Sequence, residues 1–131
     1  MNMNRPVPLL DVPRGNAPLR EEFLEALANV LDSGRFLFGP DVKQLEEECA
    51  RWSNTRFGIG CASGSDAILL SLMAMGLREG DEVICPSFTF FATASAVSRL
   101  GGVPVFVDID RNTFNIDPAK LREAITEKTK A

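Results

Sequence analysis

A chain of 131 residues, 45% hydrophobic and 24% charged, has room for one domain of ordinary size rather than two. Nothing in it approaches eighteen uninterrupted apolar residues, which argues against a membrane-spanning helix. Its 14 Lys and Arg against 18 Asp and Glu leave a net charge of −4, scattered without acidic or basic runs, which argues against non-specific nucleic-acid binding.

The first seventeen residues carry Pro6, Pro8 and Pro13, which disfavour helix and predict an extended arm lying on a surface. This segment has one Arg and no apolar core of signal-peptide length before its prolines. From Pro18 to Asp32, Leu19, Phe23, Leu27, Val30 and Leu31 recur at helical spacing, with Gly34 behind them as a C-terminal cap; this predicts an amphipathic helix. Arg35 to Gly39 reads as a short apolar loop. Pro40 suits the first position of a second helix, in which Val42, Leu45, Cys49 and Trp52 share a face.

The stretch from Phe57 to Met75 organises the rest. Phe57 to Cys61 are apolar or glycine and predict a short buried strand, while the residues from Ala67 onward place apolar groups on every face, as a buried helix would. Between them, Ala62-Ser63-Gly64-Ser65-Asp66 lets the backbone turn sharply and open a helix whose first N–H groups are unpaired. With the positive end of the helix dipole behind them, those groups make an anion site suited to a cofactor phosphate.

Arg78 to Asp81 is a turn signal, and Glu82 to Cys85 reads as a strand ending at Pro86. Residues 88 to 100 predict a helix entered through a Ser/Thr-rich turn and broken by Gly101-Gly102. Val103 to Ile109 is the most hydrophobic strand, and Asp117-Pro118 starts a last helix carrying Leu121 and Ile125. There is no His and no close cysteine pair, so a metal site is not expected. Cys49, Cys61 and Cys85 are expected to be buried free thiols of a reducing cytoplasm.

Strand and helix alternate three times, the pattern of an α/β fold with a mostly parallel sheet and flanking helices. The predicted organisation is an arm over residues 1–17 and an incomplete α/β domain over 18–131. Three strands leave an unpaired edge and bare apolar faces, and the chain stops after a helix, where another strand would begin; a fragment of a larger protein is expected. In such sheets ligands collect at the carboxyl ends of the strands, which are followed here by residues 62–66, 86–91 and 108–111. These offer amides and the hydroxyls of Ser63 and Ser65, then Thr89 and the rings of Phe88, Phe90 and Phe91, then the carboxylates of Asp108 and Asp110. An anion cradle beside an aromatic platform suits a phosphorylated planar ring. Each group also has a plainer role, as a tight connection, as core packing, and as turn and cap residues. Lys43, Lys120, Lys128 and Lys130 all fall on predicted surfaces or the tail, so none is expected to be a nucleophile. Gly58 to Gly64 is a near miss to the dinucleotide fingerprint, but the third glycine is one residue late and no acid ends the next strand, which argues against a nicotinamide cofactor.

The segments Ser33-Gly34-Arg35-Phe36-Leu37-Phe38-Gly39-Pro40, Ser63-Gly64-Ser65-Asp66-Ala67, Gly80-Asp81-Glu82-Val83-Ile84, Pro86-Ser87-Phe88-Thr89-Phe90 and Pro104 to Asp110, in this order and spacing, resemble the N-terminal third of the DegT/StrS-type aminotransferases. These are pyridoxal-phosphate enzymes of the aspartate aminotransferase superfamily, fold type I, that aminate nucleotide-linked keto sugars. The resemblance runs from about Pro8 to Ala131. It implies the N-terminal part of a fold type I large domain, with Gly64, Ser65 and the backbone of Asp66 on the phosphate of pyridoxal 5'-phosphate and Phe90 stacked on its ring. The family commonly has Thr where Ser65 stands, and Ser keeps the hydroxyl. The loop Arg35 to Pro40 would lie near substrate at the interface of a cytoplasmic homodimer. The resemblance further implies an amino donor, usually glutamate, and a pathway of deoxyamino-sugar or polysaccharide biosynthesis. It places the catalytic lysine and the carboxylate that protonates the ring nitrogen C-terminal to Ala131, so the chain by itself is expected to be inactive. Some relatives are regulators or sensors, which is the alternative, and a self-sufficient interaction module is a third reading.

Overall fold

Residues 7–131 are described by a computed structural model, in which the chain divides into two units, Met1–Ile59 and Gly60–Ala131. The first unit is helical. Helix α1, Val12–Asn16, lies inside the segment expected to be an extended arm, and the reason is local. Pro13 sits in the first turn, where its missing N–H costs nothing, and the Asp11 carboxylate accepts the Arg14 N–H at 3.2 Å. Pro6 and the rest of the expected arm over residues 1–6 lie outside the described residues. A single 3-10 turn, Ala17–Leu19, leads into α2, Arg20–Ser33, which Gly34 terminates in the left-handed conformation at φ 64°. Helix α3, Pro40–Trp52, has Pro40 at its start as expected. Its predicted apolar face is not a buried one, for Leu45 is 61% and Trp52 91% exposed.

Phe57 to Cys61 is not a strand. Its backbone is irregular, and Phe57 and Ile59 are exposed. Apolar composition reports a preference for burial, whereas a strand also requires a neighbour to share a ladder, and among the described residues the one sheet lies elsewhere. Glycine at position 58 instead serves close approach, because a Cβ there would overlap the Glu46 carbonyl oxygen of α3.

The second unit is the α/β part. Helix α4, Gly64–Ala74, precedes strand β1, Glu82–Pro86; helix α5, Phe91–Arg99, crosses over to strand β2, Val103–Val107; and α6, Pro118–Ala124, follows. The strands pair in parallel, with Glu82 opposite Val103 and Pro86 opposite Val107. Asp117 caps α6 by accepting the Ala119 N–H at 2.8 Å. After α6 the chain comes alongside β1: the Glu82 N–H donates to the Lys128 carbonyl at 2.9 Å and the Lys130 N–H to the Glu82 carbonyl at 2.8 Å. The core is Leu72, Val83, Cys85, Ala96 and Val97, flanked by Ile68, Leu69, Leu77 and Leu100. It lies where α4 and α5 pack on the sheet. Helix α4 buries Leu72 and leaves Leu70 and Met73 exposed, so it is not enclosed on every side. Of the three thiols only Cys85 is buried, which raises its pKa, while Cys49 and Cys61 are exposed. Among the described residues no helix is long and apolar enough to cross a membrane.

Candidate functional site

The turn after residue 62 builds the start of α4 as its small residues require. Ser63 is fully extended, with φ −165° and ψ 165°, and its Oγ accepts the Asp66 N–H at 3.2 Å while its carbonyl accepts the Ala67 N–H at 2.9 Å. That cap leaves the N–H groups of Gly64 and Ser65 without a partner among the described residues, at the helix start with the dipole behind them. A Cβ placed on Gly64 would meet nothing within 4 Å. The Asp66 N–H, expected among the phosphate donors, is already taken by Ser63.

Phe90 is the residue before the first turn of α5, and its carbonyl accepts the Thr93 N–H at 3.1 Å. Phe90 is 78% exposed, so it is not a core residue. Ser65 and Phe90 line one cavity of about 210 Å³, shared with Phe91, Ala92, Ser95, Ala96 and Arg99. Two residues from distant motifs thus line one cavity, because α4 packs on α5. The donors of the helix start, the Ser65 hydroxyl and an exposed ring are the groups that a phosphorylated aromatic heterocycle requires. Sequence reasoning missed Ser95 and Arg99; their positions four and eight residues after Phe91, on one face of α5, were the available signal.

The third strand end holds a different arrangement. The Asp108 carboxylate accepts from the Lys120 ammonium at 2.9 Å and from the Ser87 hydroxyl at 3.4 Å. The Lys120 hydrogen bond and charge hold the Asp108 carboxyl below its ordinary pKa, and the same contact raises that of Lys120. Asp110 accepts the N–H groups of Asn112 and Thr113 at 3.0 and 2.9 Å, which lowers its pKa. This is the turn role weighed for it from the sequence. Phe88 packs on Phe114, with ring centroids 5.8 Å apart.

A "Pleiotropic regulatory protein" of Geobacillus stearothermophilus is 52% identical over 95% of this chain and 34% of its own length. A UDP-N-acetyl-3-dehydro-alpha-D-glucosamine 3-aminotransferase of Acidithiobacillus ferrooxidans is 44% identical over 100% of this chain and 36% of its own. Among solved structures, NtdA of Bacillus subtilis with bound cofactor PMP superposes with a TM-score of 0.87 at 45% identity, covering 96% of this chain and 30% of that one. The chain therefore spans about a third of the length of the proteins it matches. The family model described as the DegT/DnrJ/EryC1/StrS aminotransferase family matches residues 18–131, nearly the whole chain and every motif discussed above, and the chain belongs to that family.

Proposed function

We propose that this chain is the cofactor-gripping N-terminal part of a pyridoxal-phosphate-dependent aminotransferase that moves an amino group from glutamate to a nucleotide-linked keto sugar, as a homodimer in the cytoplasm. The observation that carries the reading is the shared cavity of Ser65 and Phe90 beside the N–H groups of Gly64 and Ser65, which have no partner among the described residues. The similarity to an aminotransferase of a UDP-linked dehydro sugar and to a protein with bound PMP supports the substrate and cofactor class of this reading.

In this reading the Gly64 and Ser65 N–H groups and the Ser65 hydroxyl receive the phosphate, with the helix dipole adding to the attraction. Ser63 and the backbone of Asp66 hold the turn in shape. Phe90 covers one face of the ring and keeps water from it; such stacking contributes about 0.5–1.5 kcal/mol beyond area burial, so it orients the ring more than it sets affinity. Pyridoxal phosphate supplies the electron sink that no side chain provides. The residues that complete the reaction lie elsewhere. Lys120 is paired with Asp108, Lys43 is a surface residue of α3 near Glu47, Lys128 and Lys130 run beside Glu82, and none of them lines the cavity.

The test is amino transfer by the protein that carries this chain, assayed on a nucleotide-linked keto sugar with glutamate and pyridoxal phosphate. Turnover is expected there and not from the 131 residues alone; a whole protein that binds no pyridoxal phosphate refutes the reading. The 52% identity to a protein named as a regulator favours one second reading, a sensor that keeps the cofactor grip. Cofactor binding without amino transfer to any such sugar distinguishes it.

A further inference from the structure

We propose that the connection between β2 and α6, residues 108–117, is a clamp that positions Phe90, with Asp108, Lys120 and Phe114 as positioning residues; this rests on the reading of Phe90 as the cofactor's ring platform. Phe90 ends a segment, Ser87 to Phe90, that is exposed throughout, so its direction must be set by what grips that segment. Its far end joins α5, where the Thr89 and Thr93 hydroxyls lie 3.0 Å apart.

Three contacts grip its near end, all from the side of β2 and α6. The Ser87 N–H donates to the Val107 carbonyl at 2.8 Å. The Ser87 hydroxyl donates to Asp108, whose other oxygen Lys120 of α6 holds at 2.9 Å. The Phe88 ring rests on Phe114. The clamp itself is stiffened from within: Asp110 accepts the N–H groups of Asn112 and Thr113, the Asp110 N–H donates to the Asn115 carbonyl at 2.8 Å, and the Asp117 N–H donates to the Asp108 carbonyl at 3.1 Å. Ile109 and Ile116 form an antiparallel bridge across it. Phe114 stands at φ 59°, a left-handed conformation that a bulky residue adopts only when its surroundings impose it. Its return is the ring contact with Phe88. An exposed ion pair contributes little to global stability, so a Lys120–Asp108–Ser87 chain at this place is better explained by what it orients than by what it stabilises.

The experiment uses the protein that carries this chain and the variants Lys120→Met, Lys120→Arg and Phe114→Gly, the last keeping the backbone conformation while removing the ring. Amide hydrogen exchange over residues 87–91 and affinity for pyridoxamine phosphate and for inorganic phosphate are measured. Lys120→Met and Phe114→Gly are expected to speed exchange there and weaken pyridoxamine phosphate about two- to fivefold, the scale of an exposed ion pair, with inorganic phosphate unaffected and Lys120→Arg near the parent. In a Phe90→Ala background Lys120→Met should change pyridoxamine phosphate affinity no further. Unchanged exchange in both variants overturns the clamp. Faster exchange with unchanged pyridoxamine phosphate affinity overturns the positioning role. A parent protein that fails to bind pyridoxamine phosphate at all removes the functional reading, and the exchange rates then decide the clamp alone.

Discussion

Replacing Ser63 by Asp separates an anion site from an ordinary helix start. Ser63 caps α4 through its side chain at 3.2 Å from the Asp66 nitrogen, and Asp caps as well as Ser does, so stability should change by only about a few tenths of a kcal/mol. The new carboxylate, however, stands at the mouth of the turn, beside the free N–H groups of Gly64 and Ser65. Like charges about 4 Å apart repel by about 1 kcal/mol in bulk water and about 4 kcal/mol at the effective dielectric of a protein surface. The double charge of a phosphate roughly doubles this, and since about 1.4 kcal/mol is tenfold in affinity, the loss should be at least about tenfold. Ser63→Ala should do the opposite, costing about 1 kcal/mol of stability while leaving the phosphate donors in place and freeing the Asp66 N–H. Calorimetric titration with pyridoxamine phosphate at low and high salt, beside urea unfolding, reads both quantities, and added salt should narrow the deficit of the Ser63→Asp variant. Parent-like affinity in Ser63→Asp would falsify the anion site.

Ser65→Ala and Phe90→Ala should each lower pyridoxamine phosphate affinity without unfolding the protein, as read by the same titration and by circular dichroism. Val97→Ala removes two methyl groups from a residue 1% exposed, between α5 and the sheet, and should cost about 2 kcal/mol in urea unfolding, near the lower end of the large-to-small core range. The Asp108–Lys120 contact lowers one pKa and raises the other. Its contribution is therefore complete between the ordinary values of the two groups, lost as pH falls from the ordinary carboxylate value through the depressed Asp108 value and lost again as pH rises from the ordinary ammonium value through the elevated Lys120 value. Carboxyl-carbon NMR should show the Asp108 midpoint below the usual carboxylate range, and Lys120→Met should move it upward.

The bare apolar faces that the sequence predicts for the sheet show at Val103 and Phe106 of β2, which are exposed. Phe23, Leu27 and Leu31 on α2 and Leu70 and Met73 on α4 also remain exposed. They agree with a chain that spans about a third of its relatives' length.

Signals acting within a few residues were legible from the sequence. Gly34, Pro40, Gly101-Gly102 and Asp117-Pro118 mark element ends because left-handed geometry, a missing N–H and a side-chain cap are local matters. The Ser63-Gly64-Ser65 helix start was legible for the same reason. Where a local reading failed, another requirement decided the outcome. Phe57 to Cys61 has strand composition and no ladder partner among the described residues, Val12 to Asn16 forms a turn of helix because Asp11 caps it, and Cys61 lies on the surface despite its apolar neighbours. What tertiary structure alone decided is which other distant side chains gather: Ser95 and Arg99 in the cavity that Ser65 and Phe90 line, and Ser87 with Asp108 and Lys120 where β1, β2 and α6 come together. Spacing along a chain encodes local geometry, but contacts between elements depend on how buried faces pack, and that is settled only once the helices have closed on the sheet.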